Sequence, residues 1–181
     1  MKKKEEEMRY KQELLIPREL IQERVKEIAQ QISMDYEGRE LVLVGILKGV
    51  VFFMADLARE ISLPIRIDFL RIASYGSGME SGQIRLTKDL ELPVEGKSVL
   101  IVEDIVDTGK TLDYVTRLLK EKGVESVKIC ALIDKRERRD IEIDLNYCAF
   151  RVEKGFLVGY GLDYNEEYRC LPDIYILKEQ G

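Results

Sequence analysis

Apolar and polar positions along this chain follow two rhythms. After Pro17, the segment PRELIQERVKEIAQQI spaces Ile21, Val25, Ile28 and Ile32 at helical intervals, which predicts an amphipathic helix with one buried stripe. Pro17 suits a first helical turn. LVLVGI, residues 41–46, is instead an unbroken apolar run of strand length, the pattern of a strand covered on both faces. VVFFMADLAREI then reads as a buried helix and PIRIDFLRIASY as an alternating, β-branched strand. GSGMESG, with Gly76, Gly78 and Gly82, reads as a flexible loop, and QIRLTKDL as a returning strand. Residues 99–102 form a second buried strand. KTLDYVTRLLKEKG follows as a helix with Leu112, Val115 and Leu119 on one side, closed by Gly123. SVKICALID and NYCAFRV read as further strands, and the tail from Glu153 as short strands and turns. Alternating strands and helices predict an α/β fold around a mainly parallel sheet flanked by helices.

Composition narrows the chemistry. The 181 residues suit one domain, and 45% hydrophobic content suffices for a proper core. The longest apolar run, residues 50–55, is too short to span a membrane. MKKKEEEMRYKQE has no apolar stretch behind its lysines, so it does not read as a secretory signal. It reads as a solvated lead-in or an exposed helix extension. A net charge of −5 argues against a nucleic-acid partner. Cys130, Cys148 and Cys170 stand far apart without a CxxC spacing. That argues against a disulfide framework or zinc and for a reducing, cytoplasmic setting. There is no histidine. Histidine-dependent nucleophiles and imidazole metal ligands are therefore excluded. A metal would have to be a hard cation held by oxygen, Mg2+ foremost, and any general acid or base a carboxylate, Lys, Tyr or Cys.

One stretch concentrates that chemistry. In SVLIVEDIVDTGKTL, four apolar residues run into Glu103 and Asp104, then Asp107-Thr108-Gly109-Lys110-Thr111 opens a helix. In parallel α/β sheets ligands bind beyond the carboxyl ends of the strands. The amides, threonine hydroxyls and helix N-terminus of that turn suit a phosphate. Two acids beside a phosphate cradle repel the anion unless they hold sugar hydroxyls or a magnesium ion. A plain helix N-cap with solvated acids explains an isolated TGKT equally well. A Walker A loop is excluded, because Asp104 stands where its first glycine belongs. Ser81 likewise breaks a dinucleotide fingerprint in the glycine-rich loop.

The motif does not stand alone. Apolar strand, Glu-Asp, two apolar residues and D-[ST]-G-x-T closely resemble the phosphoribosyl pyrophosphate motif of type I phosphoribosyltransferases. LVGILKG, DFLRIASYG, ALIDKRERR and FLVGYGLDYNEEYR occur in the order found in the hypoxanthine-guanine branch of that family. The resemblance covers nearly all the chain from about Tyr36 on. It implies the type I phosphoribosyltransferase fold in a single domain spanning 1–181. The core would run from about 36 to 150, with a small hood subdomain from about 151–181 plus part of the N-terminal region. It implies transfer of the 5-phosphoribosyl group from phosphoribosyl pyrophosphate to N9 of hypoxanthine or guanine, giving IMP or GMP. It further implies Mg2+ and a homodimer or homotetramer. Xanthine preference, or a non-catalytic nucleotide-sensing regulator on the same fold, are the alternatives.

The resemblance also distributes roles. Glu103 and Asp104 would bind the ribose hydroxyls and magnesium, with Asp163 contributing to a magnesium site. Asp107 resembles the family's proton acceptor at purine N7. Asp107, Thr108, Gly109, Lys110 and Thr111 would hold the 5-phosphate. Lys48 and Gly49, behind a Leu47–Lys48 peptide expected to be cis, would hold pyrophosphate together with Arg169. Lys135 would donate to the purine 6-oxo group, Phe156 would stack on the ring, and Leu157 would offer main-chain groups to its edge. Ser74 and Tyr75 would begin a mobile lid. Arg136, Arg138 and Arg139 are expected on the surface. Glu153-Lys154-Gly155 departs from the family's Pro-Asp-Lys-like run and places a glycine directly before Phe156, which loosens the base pocket.

Overall fold

A computed structural model describes residues 10–75 and 83–179. The elements in chain order are β1 (Tyr10–Ile16), α1 (Arg18–Asp35), β2 (Leu41–Leu47), α2 (Val51–Glu60), β3 (Ile65–Tyr75) and β4 (Gln83–Lys88). They continue with β5 (Ser98–Val106), α3 (Lys110–Glu121), β6 (Ser126–Lys135), β7 (Tyr147–Val152), β8 (Phe156–Val158) and β9 (Ile174–Glu179). A six-stranded sheet runs β4-β3-β2-β5-β6-β7. Every pairing in it is parallel except β3 with β4. This is the mainly parallel, helix-flanked sheet that the sequence implies. A second, antiparallel sheet of order β1-β9-β8 forms the small hood.

Alternation within the unbroken apolar strands builds two cores. Leu41, Leu43, Leu100 and Val102 face one side, where Ile21, Val25, Ile28 and Ile32 of α1 and Phe53, Met54 and Leu57 of α2 cover them. Val42, Val44, Val99 and Ile101 face the other, beneath Leu112, Val115 and Leu119 of α3. Each side chain of the central strands thus finds an apolar neighbour whichever way it points, the reason such strands carry no polar face. The loop from β4 to β5 is tied to the sheet by Asp68. Its buried carboxylate accepts the N–H groups of Phe69 at 2.7 Å, Glu91 at 2.7 Å and Leu92 at 2.8 Å, and these hold its pKa below the usual range although burial opposes them.

Three expectations need correction. Residues 10–13 are neither a loose lead-in nor a helix extension, since Tyr10–Ile16 pairs antiparallel with Ile174–Glu179. The edge of β9 supplies the ladder partners that this polar segment does not advertise. The strand read over 99–102 extends through Val106, so Glu103 and Asp104 sit inside β5 and the turn begins at Asp107. Arg139 is not a surface residue, because its side chain is only 5% exposed. Residues 1–9 and the loop glycines Gly76, Gly78 and Gly82 lie outside the described residues. Among the described residues no helix is long and apolar enough to cross a membrane.

Candidate active site

The carboxyl ends of β2, β5 and β6 lie side by side. Gly45 of β2 pairs with Val102 of β5, and Val106 of β5 with Asp134 of β6. Chemistry-bearing residues just past those positions therefore converge without any long-range search. Glu103 is 9% exposed and its Oε2 is buried without a hydrogen-bond partner. Burial, reinforced by the neighbouring Asp104, pushes its carboxyl well above the usual range. Burial likewise raises Asp104 to about 6. Asp104 Oδ1 accepts the N–H of Ile105 at 2.9 Å. Across from it, a Cβ on Gly49 would overlap the Asp104 carboxylate, so that close approach needs a glycine. The Leu47–Lys48 peptide is cis, as expected.

The tail folds down on this loop. A Cβ on Gly161 would overlap the Gly49 carbonyl, so backbone rests directly on backbone. Gly161 adopts φ +104°, which suits glycine. Arg169 donates to the Gly161 carbonyl at 2.7 Å and pairs with Asp163 at 2.8 Å. The other Asp163 oxygen accepts the N–H of Glu166 at 2.9 Å. Glu166 in turn takes Lys48 at 2.9 Å and Arg169 at 3.3 Å. A cavity of about 240 Å³ opens among Lys48, Gly49, Glu103, Asp104, Asp163 and Arg169.

An adjoining cavity of about 180 Å³ is lined by Asp104, Asp107, Lys135, Phe156, Leu157 and Asp163. Phe156 is 49% exposed, and its ring meets Tyr164 edge-on at 5.4 Å. Leu157, the next residue of β8, is buried. Lys135 is the last residue of β6 and its side chain is only 8% exposed. Its ammonium pairs at 3.2 Å with Glu137, whose carboxylate also accepts the N–H of Gly155 at 3.3 Å. Asp107 pairs with Arg138, and its Oδ1 is buried without a partner.

The turn after β5 lines a third cavity, of about 90 Å³, with Thr108, Gly109 and Thr111. Gly109 takes φ +85°, and a Cβ there would overlap the Ile141 carbonyl. The Lys110 ammonium points elsewhere, to Asp140 at 2.8 Å. Ser74 and Tyr75 are the last residues of β3, and the loop they lead into lies outside the described residues.

Comparison with known proteins places this geometry. The phosphoribosyl transferase domain family matches residues 15–165. The hypoxanthine-guanine phosphoribosyltransferase of Staphylococcus aureus is 46% identical over 169 residues, covering 93% of this chain and 94% of that protein. The chain belongs to the hypoxanthine-guanine branch of the phosphoribosyltransferase family. Its Streptococcus thermophilus relative of the same name is 43% identical over 168 residues, 92% of this chain and 93% of that one. The bifunctional protein TilS/HprT of Listeria monocytogenes is 44% identical over 170 residues, and there the chain spans only 26% of the relative's length. Among solved structures, a hypoxanthine phosphoribosyltransferase from S. aureus superposes with a TM-score of 0.88 at 46% identity, covering 92% of this chain and 91% of that one. A hypoxanthine-guanine phosphoribosyltransferase from Bacillus anthracis gives 0.87 at 39% identity, covering 93% and 99%. The type I phosphoribosyltransferase fold expected from the motifs is the fold this chain has.

The donor set at Glu103 and Asp104 suits a hard divalent cation, with the buried Glu103 beside the half-buried Asp104 and one Glu103 oxygen lacking any partner. Among the described residues no cluster of three or more acidic, cysteine or histidine side chains assembles. A divalent cation held there would take its remaining ligands from water and other oxygen groups. Three residues that carry no signal in the sequence belong to this neighbourhood: Glu137 against Lys135, Glu166 between Lys48 and Arg169, and Arg139 behind Asp107.

Proposed function

We propose that this chain transfers the 5-phosphoribosyl group from phosphoribosyl pyrophosphate to N9 of hypoxanthine or guanine. The observation that carries the reading is one juxtaposition. The adjacent carboxylates of Glu103 and Asp104 open onto the cavity holding Lys48, Gly49 and Arg169 and, through Asp104, onto the slot between Lys135 and Phe156. An anion-binding pocket, an acidic floor and a planar slot are the three parts that an activated sugar and a purine require.

Thr108, Gly109, Lys110 and Thr111 hold the 5-phosphate through backbone amides and hydroxyls at the start of α3. Lys48, the Gly49 amide and Arg169 take the pyrophosphate. Glu103 and Asp104 hold the ribose hydroxyls and, with Asp163, a magnesium ion. A magnesium ion held by these residues would supply positive charge for the departing pyrophosphate. Phe156 lies against one face of the purine, Leu157 presents its main chain to the ring edge, and Lys135 donates to the 6-oxo group. The C1′–N9 bond forms as the C1′–oxygen bond to pyrophosphate breaks, and Asp107 receives the proton at N7. Positive charge gathers on the ribosyl carbon in transit, as in glycoside chemistry, and the carboxylates beneath favour it.

The three free thiols suit a reducing compartment, the cytosol. Exposed Val51 and Phe52, just beyond the Lys48 loop, suit burial in a dimer or tetramer. Incubation with Mg2+, phosphoribosyl pyrophosphate and hypoxanthine is expected to yield IMP and pyrophosphate. Absence of product with hypoxanthine, guanine and xanthine alike would overturn the assignment.

A further inference from the structure

Arg139 is a buried cation that none of the roles above employs. Its Nε donates to the carbonyl of Asp107 at 2.8 Å. Its Nη2 donates to the carbonyls of Val106 at 3.0 Å and Lys135 at 3.2 Å, and pairs with Asp134. The next two residues continue the grip, because the N–H groups of Asp140 and Ile141 both donate to the Thr108 carbonyl at 3.0 Å. Three consecutive carbonyls, at 106, 107 and 108, are thus held by three consecutive residues, 139, 140 and 141.

These carbonyls lie where the parallel ladder ends. Val106 pairs with Asp134, the last registered pair between β5 and β6. Beyond it the strands part and their carbonyls need other donors. A planar guanidinium, with several N–H groups in fixed directions, can serve both strand ends at once, which an ammonium cannot.

We propose that Arg139 is a positioning residue that fixes the phosphate turn and Lys135 relative to each other. Each carbonyl it anchors turns the N–H of the same peptide unit to the opposite side, so the turn keeps its amides aimed away from Arg139 and available to a phosphate. The same fork holds the main chain of Lys135, so the donor to the base keeps its spacing from the sugar phosphate. Sugar and base are then presented to one another at a set distance, the geometric condition for bond formation between two bound reactants.

This inference rests on the transferase reading, and its test separates the two. Arg139→Lys and Arg139→Gln would be compared with the parent for ribose 5-phosphate binding by calorimetry and for the KM of both substrates, all well below the melting temperature. Ile32→Ala, in α1 and remote from the site, serves as a control for plain destabilisation. Arg139→Gln leaves Asp134 without its closest cationic partner and melts lower. The double variant Asp134→Asn/Arg139→Gln buries no lone carboxylate and takes the place of any single variant that does not fold. The expected result is a loss of about tenfold in ribose 5-phosphate affinity and about 10²-fold in kcat/KM, with Ile32→Ala unchanged in both. Arg139→Lys recovers little, because it lacks the fork. If the parent binds ribose 5-phosphate and the Arg139 variants match it within about twofold, the positioning role is wrong and the transferase reading stands. The positioning role is equally wrong if Ile32→Ala shows the same kinetic loss. If the parent binds neither ribose 5-phosphate nor phosphoribosyl pyrophosphate, the transferase reading falls and this inference with it.

Discussion

Asp104→Asn is expected to raise the stability of the metal-free protein while abolishing most of its activity. Burial moves the Asp104 carboxyl from its ordinary 3.8 to about 6, so ionising it costs more in the folded chain than in the unfolded one. A raised carboxyl leaves full stability below the unfolded value and takes it away as pH climbs through the folded value. The interval corresponds to about 3 kcal/mol at pH 8, of which about half is already present at pH 5. Asparagine keeps an oxygen for the Ile105 N–H and has no charge to bury. It also removes the neighbour that repels an ionised Glu103. The gain over the parent should therefore be about 1.5 kcal/mol larger at pH 8 than at pH 5, or ~3–6 °C in melting temperature for a chain of this length. Thermal melts in a chelating buffer at both pH values measure it. In parallel, kcat/KM with Mg2+ should fall about 10²-fold or more. A variant no more stable than the parent at pH 8, or a gain that does not grow with pH, would refute the claim that Asp104 is held ionised against its surroundings. Retained activity would refute its place in the site. The acids at 103 and 104 reduce stability in the empty chain, the trade expected where function needs an unfavourable arrangement.

Gly49→Ala places a methyl on the Asp104 carboxylate and should raise the KM for phosphoribosyl pyrophosphate about tenfold or more. The far-ultraviolet circular dichroism should stay unchanged, and an unaltered KM would show that the close approach has no functional use. Lys135→Ala removes a charged donor and should cut kcat/KM for hypoxanthine ~10–100-fold while leaving the KM for phosphoribosyl pyrophosphate within about twofold. Equal losses for both substrates would break the assignment to the base. Glu166→Gln releases Lys48 and Arg169 from an exposed carboxylate. Pyrophosphate should then inhibit about threefold more tightly at low salt, a gain limited by the small worth of exposed ion pairs and lost as salt is added. Weaker inhibition would mean that Glu166 supports the anion rather than competes with it.

What could be read from the chain follows from local physics. The apolar runs at 41–46 and 99–102 were legible as strands because both faces of the central sheet are covered, whereas the continuation of the second through Glu103 and Asp104 to Val106 was not. The phosphate turn was legible because its residue types recur at fixed spacing after such a run. Tyr10–Ile16 was not, because a strand at a sheet edge owes its ladder to a partner 158 or more residues away rather than to its own pattern. Lys135 was assigned to the base through the family resemblance alone, and nothing in its own pattern marks a side chain that is 8% exposed. Arg139 was expected on the surface, yet the ends of two strands close around it. Burial of a charge leaves no periodic trace in sequence, since it depends on which carbonyls lack donors once the ladder stops.

Sequence alone determined the mainly parallel sheet, the family and the range of the chemistry: with no histidine, a metal had to be oxygen-bound and a general acid or base a carboxylate, Lys, Tyr or Cys. Tertiary structure decided which of those charges face the cavities and which are sequestered. It pressed Gly161 onto Gly49, set Asp104 against Gly49, laid Glu166 across Lys48 and Arg169, and turned Arg139 inward. The reason is that helix patterns are carried by neighbours three or four residues apart and strand patterns by neighbours two apart, whereas the desolvation and pairing of a charge are fixed by groups that meet only when the strand ends are brought together.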